Sequence, residues 1–161
     1  MIISAAVLFI TAGCKKDEFN FLSSSYPDIP VTVSNLYGTY NGVPTVSTSL
    51  SGGGAITITM SIPAESGRTI REITRVGFSN TIANYKVIEV PTGLYNTSPI
   101  AGSGTTVTFS TTLTEYTAKT GLAVTTSGAA TSFLGRYFYF LITLDNGQQL
   151  IPLPVRVYVN S

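Results

Sequence analysis

Histidine and tryptophan are absent from this 161-residue chain, and cysteine occurs once. Without histidine, neither a Ser-His-Asp nor a Cys-His nucleophile can be built. A zinc site would have to rely on carboxylates alone, an unusual set for that metal. A lone cysteine cannot close an internal disulfide, so packing must hold the fold. Charge is scarce too: nine Lys and Arg against eight Asp and Glu leave a net charge of +1, with no basic stripe to attract nucleic acid. The carboxylates beyond the N-terminal region (Asp28, Glu65, Glu72, Glu89, Glu115 and Asp145) are scattered, and nothing in their spacing sets two across a cleft as glycosidases require. Gly52-Gly53-Gly54 and Gly102-Ser103-Gly104 lack the strand, helix and lysine of a phosphate loop. Asp145-Asn146-Gly147 echoes the start of a calcium loop without further ligands. The inventory predicts a protein that is not an enzyme and has no cofactor and no metal; a carboxylate-based hydrolase is the minor alternative.

What is present first is an apolar run, Met1 to Thr11, broken only by Ser4 and Thr11. Its length suits a signal-peptide core and is too short to span a bilayer. It lacks the usual positive n-region, which predicts a start codon further upstream. The step Thr11-Ala12-Gly13-Cys14 resembles the lipobox of bacterial lipoproteins, with Thr11 where that motif carries an aliphatic residue. The resemblance implies cleavage after residue 13 and a lipid on the Cys14 sulfur. Each buried acyl methylene would add about 0.8 kcal/mol of membrane binding, so two or three chains anchor stably. The following Lys15-Lys16-Asp17-Glu18 reads as a solvated tether, and it also resembles the export signal of Bacteroidota surface lipoproteins. The expected location is the outer membrane, lipid-anchored and facing the cell exterior, with the periplasmic face as the alternative.

The expected organisation is a signal peptide over 1–13, a lipidated tether over 14–29 and one β-sandwich domain over 30–161. Within that domain the dominant period is two. Ile56, Ile58, Met60 and Ile62 alternate with Ala55, Thr57, Thr59 and Ser61, and Val107, Phe109, Thr111 and Leu113 alternate with Thr106, Thr108, Ser110 and Thr112. Such alternation marks strands with one buried and one Thr-rich solvent face. Further strands are expected over 31–35, 45–50, 70–78, 85–90 and 118–125, and no stretch carries a helical period. Short strands between Gly-, Pro- and Asn-rich turns predict an all-β, antiparallel sandwich. The strand count and closing hairpin resemble immunoglobulin- or fibronectin-III-like domains, although the Cys…Trp…Cys signature is missing.

The clearest local pattern is the closing stretch, in which Asn146-Gly147 reads as a two-residue type I′ turn. That register sets Phe138 opposite Val155, Phe140 opposite Leu153 and Ile142 opposite Ile151 on the core face. Tyr137 then opposes Arg156, Tyr139 opposes Pro154, Leu141 opposes Pro152 and Thr143 opposes Leu150 on the other face. Pro152 and Pro154 cannot donate ladder hydrogen bonds, so the last strand is expected at an edge, or irregularly paired along its first half.

Two groups are candidate binding residues. Tyr137, Tyr139, Arg156 and Tyr158 share the non-core face, where tyrosine rings stack on sugars or partner side chains and arginine lies across aromatics. Ordinary cross-strand pairing would use the same residues. Arg71 and Arg75, with Arg68 and Glu72 nearby, could meet an anionic sugar or a lipid phosphate, or form a solvated face with a local Arg–Glu pair. The anchor and fold class resemble the small accessory lipoproteins of Bacteroidota polysaccharide-uptake systems. That resemblance implies a non-catalytic module for glycans; the alternative is a structural or adhesin-like module that pairs with an outer-membrane protein, for instance through an edge strand.

Overall fold

The computed structural model describes residues 28–124 and 132–160. Cys14, the lipobox and the charged run after it lie outside the described residues. Among the described residues the strands are β1 (Thr32–Val33), β2 (Gly38–Tyr40), β3 (Val43–Ser49), β4 (Ala55–Ser61), β5 (Ile70–Ser79), β6 (Ile100–Ala101), β7 (Thr106–Thr112), β8 (Ser132–Phe133), β9 (Tyr137–Leu144), β10 (Gln149–Leu150) and β11 (Arg156–Asn160). Helix α1 (Lys86–Glu89) is a single turn, and α2 (Leu113–Thr120) follows β7 directly.

The architecture is an all-β sandwich. One layer is the three-stranded sheet β1-β4-β7, in which β4 and β7 pair along their whole length. The other comes from two four-stranded sheets, β10-β9-β5-β6 and β2-β3-β11-β8, joined edgewise where Phe138 bridges Val155. Between the layers, Ile56, Ile58, Met60, Val107 and Phe109 meet Val46, Ile73, Val76, Phe138, Phe140, Ile142, Val157 and Val159. The strict alternation of β4 and β7 thus delivers its Ile, Val and Phe side chains to the core, while the other face shows threonines such as Thr59 and Thr108, hydrogen-bonded at 3.1 Å. One pairing is parallel: β11 runs alongside β3, with Arg156 beside Thr45 and Tyr158 beside Ser47.

Several expectations are corrected. Residues 85–90 hold α1 rather than a strand, and 118–125 overlaps the end of α2. That helix begins at Thr112, whose side chain accepts the Glu115 N–H at 3.1 Å, and ends at Gly121, whose N–H returns to the Thr117 carbonyl. The closing turn has three residues, Asp145-Asn146-Gly147, with Gly147 at φ +86° and Asn146 outside the left-handed region. Thr143 therefore faces Gln149 and Ile142 faces Leu150, one residue away from the type I′ register. The Phe138–Val155 pairing survives because the Pro152–Pro154 stretch takes up the extra residue without ladder structure. Irregular pairing there matches expectation; an edge position does not, since β11 lies between β3 and β8.

Strand β5 departs from simple alternation as well. Its register against β9 shifts between Ile70 and Glu72 and again between Ile73 and Arg75. These bulges let Ile70, Ile73 and Val76 all reach the core at a spacing of three, so Arg71, Ile73 and Arg75 do not share one face.

Candidate functional site

The outer face of the β2-β3-β11-β8 sheet carries an aromatic platform. In the ladder, Tyr40 aligns with Val43, Gly38 with Thr45, and Thr45 with Arg156, so these residues point to the same side. Small side chains on β3 leave room above it, and rings from β2 and β11 close over the gap. The Tyr158 ring lies nearly parallel to Tyr37 (centroids 5.4 Å apart, 13° between planes) and to Tyr40 (6.4 Å, 2°). Phe133 stands edge-on to Tyr40 at 5.2 Å and to Tyr158 at 5.3 Å. Beneath them Val43 and Thr45 are buried although they face away from the core. Each offset or edge-on pair contributes about 0.5–1.5 kcal/mol beyond its buried area.

Access to the rings is graded. Tyr158 is 8% exposed, whereas Tyr40 and Tyr37 are 39% and 51% exposed. Burial pushes the Tyr158 phenol up in pKa, and the neighbouring Tyr37 and Tyr40 phenols push it further, so its hydroxyl keeps its proton. Arg156 completes the platform: its guanidinium carbon lies 3.8 Å from the Phe133 ring centre and 5.4 Å from that of Tyr137.

Of the sequence candidates, Tyr137, Arg156 and Tyr158 are brought together here, and Tyr37, Tyr40 and Phe133 join them without having been singled out. Tyr139 is elsewhere. It is 0% exposed, packed with Ile88 and Leu141 under α1, and its hydroxyl donates to the Thr81 carbonyl while accepting the Asn84 N–H at 3.4 Å. A Tyr139→Ala change would therefore probe packing, not ligand contact. Arg75 donates to the carbonyls of Ile88 (2.9 Å) and Glu89 (2.6 Å), closing the end of α1. Arg71 makes an exposed 3.3 Å pair with Glu72, the local pairing weighed from the sequence. Neither arginine belongs to the platform.

A polar ring elsewhere is structural in geometry. The Tyr95 hydroxyl meets Thr111 Oγ1 at 2.7 Å, Thr111 donates to Glu115 Oε2 at 2.9 Å, and Glu115 Oε1 pairs with Lys119 Nζ at 2.8 Å. Lys119 then donates to the Tyr95 carbonyl at 2.5 Å, closing the loop across α2. Hydrogen bonds from Lys119 and Thr111 hold the Glu115 carboxyl below its ordinary pKa, as a fixed anion. At the open edge of the sandwich an apolar groove of about 230 Å³ lies between β1, β2 and the Pro152–Leu153 segment, with Met60 in its wall. Among the described residues, no three metal-ligating side chains gather.

Comparison with known proteins adds no relative: no family model matches the sequence, and no curated protein or solved structure is significantly similar to it.

Proposed function

We propose that this chain is a lipid-anchored surface lipoprotein whose β-sandwich acts as a non-catalytic carbohydrate-binding module. The observation that carries the reading is the platform itself: two half-exposed tyrosines stacked on a third over the outer face of the β2-β3-β11-β8 sheet. Flat rings suit the apolar C–H face of a sugar, and neutral phenols offer hydrogen bonds to its hydroxyls. With no tryptophan in the sequence, tyrosine is the ring available for stacking with a polar handle. The anchor rests on Cys14 and the apolar run before it, and the exterior location on the charged residues after it. The two-layered packing supports an immunoglobulin- or fibronectin-III-like architecture.

Affinity electrophoresis through gels containing neutral and acidic polysaccharides tests the binding function. At least one polysaccharide should retard the protein, and Tyr37→Ala or Tyr40→Ala should abolish retardation while leaving the melting temperature within a few degrees. Free migration in every gel refutes the reading. The anchor is tested separately by mass spectrometry of the mature N-terminus, where an intact Met1 or a bare Cys14 thiol would overturn it. A second reading, docking of an outer-membrane protein, draws on the apolar groove beside edge strand β1, where Leu36 and Leu153 are exposed. It predicts a defined complex that Leu153→Asp dissolves.

A further inference from the structure

Among the described residues, the platform contains one cation and no anion. Tyr37, Tyr40, Phe133, Tyr137 and Tyr158 supply aromatic rings, and the Arg156 guanidinium lies against two of them. Its Nε is buried with no hydrogen-bond partner. Among the described residues, the two ion pairs are Arg71–Glu72 and Lys119–Glu115, so no carboxylate neutralises Arg156. A half-buried guanidinium with a bare N–H is a poor way merely to cover a sheet, since an uncharged side chain of similar length would pack between the same rings without the desolvation penalty. Held 3.8 Å from the Phe133 ring centre, the guanidinium has the planar fork that matches a carboxylate or a sulfate.

We infer that the saccharide recognised by this platform is acidic, with its carboxylate or sulfate placed against Arg156 and its sugar faces on Tyr37 and Tyr40. This inference rests on the carbohydrate-binding reading and adds the charge of the ligand to it. The stacked rings define where sugar units lie, and the cation selects among chains that could lie there. Arg71 and Arg75 take no part: Arg75 is committed to α1 carbonyls and Arg71 to Glu72.

The test uses two matched pairs of polymers: polygalacturonate with its carboxyl-reduced form, and chondroitin sulfate with its desulfated form, each titrated calorimetrically into the whole protein. At least one acidic polymer should bind about tenfold or more tighter than its matched neutralised partner, the difference expected for one charge-assisted contact. That preference should shrink as salt rises. Arg156→Met keeps an aliphatic stem between Phe133 and Tyr137 and should bring the two affinities together, while Arg156→Lys restores part of the preference. Arg71→Gln should change nothing. Equal affinity within both pairs overturns the acidic-ligand inference and leaves the carbohydrate reading standing. A preference that survives Arg156→Met, or that Arg71→Gln removes, also overturns it. If neither pair binds and neutral polysaccharides fail as well, the carbohydrate reading falls and takes this inference with it. Melting curves of both Arg156 variants guard against misfolding, and the Lys variant keeps the test decisive if the Met variant does not fold.

Discussion

Gly77 lies in β5 directly beneath α1, and alanine at this position tests how the outer face of β9 is covered. A Cβ added there would come within 2.8 Å of both Val87 Cγ2 and the Val87 carbonyl oxygen, and 2.9 Å from Ile88 Cγ2. Ordinary carbon contacts sit at about 3.5–4.0 Å, so α1 must retreat by roughly 0.7–1 Å. Overpacking of this kind costs about 1–3 kcal/mol. Against it, Gly→Ala at an ordinary extended backbone gains about 0.4–1 kcal/mol by restricting the unfolded chain. The net expectation is a loss of about 1–2 kcal/mol. In urea, with a slope of about 2 kcal/mol/M for a domain of this size, the midpoint should fall by about 0.5–1 M with the slope unchanged. Adding Val87→Ala removes the Val87 methyl clash but not those with the Val87 carbonyl and Ile88 Cγ2, so the double variant should recover only part of the loss. Retreat of α1 also pulls the Ile88 and Glu89 carbonyls from Arg75 and opens the cover over Tyr139, so amide exchange should quicken around residues 81–89. A Gly77→Ala protein within about 0.5 kcal/mol of the parent, with unchanged exchange in that segment, would refute the account.

The closing turn offers a second check. Asn146→Gly should destabilise by about 1 kcal/mol, because the Asn146 side chain accepts the Gln148 N–H at 3.0 Å and its backbone needs no left-handed freedom; a type I′ turn would instead accept glycine without loss. Gly147→Ala, at φ +86°, should cost about 1–2 kcal/mol in the same urea assay. Acid is the third probe. The Glu115 carboxyl is held below its ordinary value of 4.5, so its contribution is present above that pH and fades as pH falls through the lowered folded value; Glu115→Gln should flatten this part of the stability–pH curve. Alkali is the fourth. Burial raises the phenol pKa values of Tyr95, Tyr116 and Tyr139 above 10.0, so the unfolded chain ionises first and stability should decline above that pH, less so in Tyr139→Phe.

Strands β4 and β7 were legible because each has one wet face and one dry face, and burial follows their alternation residue by residue. The run Tyr137–Leu144 was legible as a strand but not as one covered on both sides. Its outer face carries Tyr139, Leu141 and Thr143, and Tyr139 and Leu141 pack against Ile88 of a single-turn helix too short to leave a periodic pattern. Helix α2 left a signal of another kind. Thr112-Leu-Thr-Glu115 is a capping-type start and Gly121 a natural stop, but only Leu113 and Tyr116 face inward, too few for periodicity to outweigh the threonines. The β5 bulges escaped because a spacing of three between Ile70, Ile73 and Val76 looks like broken alternation in one dimension. The platform was half legible: Tyr137, Arg156 and Tyr158 belong to the closing hairpin, whereas Tyr37 and Tyr40 reach them only through the parallel β3–β11 ladder, which no local pattern announces.

That ladder joins Thr45 to Arg156, roughly 110 residues further along, and loop closure over such a span opposes its early formation. The stacked rings draw on both partners of the ladder, Tyr37 and Tyr40 through β2 and Tyr158 on β11 itself. Before β11 docks, a folding chain would carry only the β2 half of the stacked rings. The ring stack is complete only when β11 lies against β3, so its formation would report a finished fold.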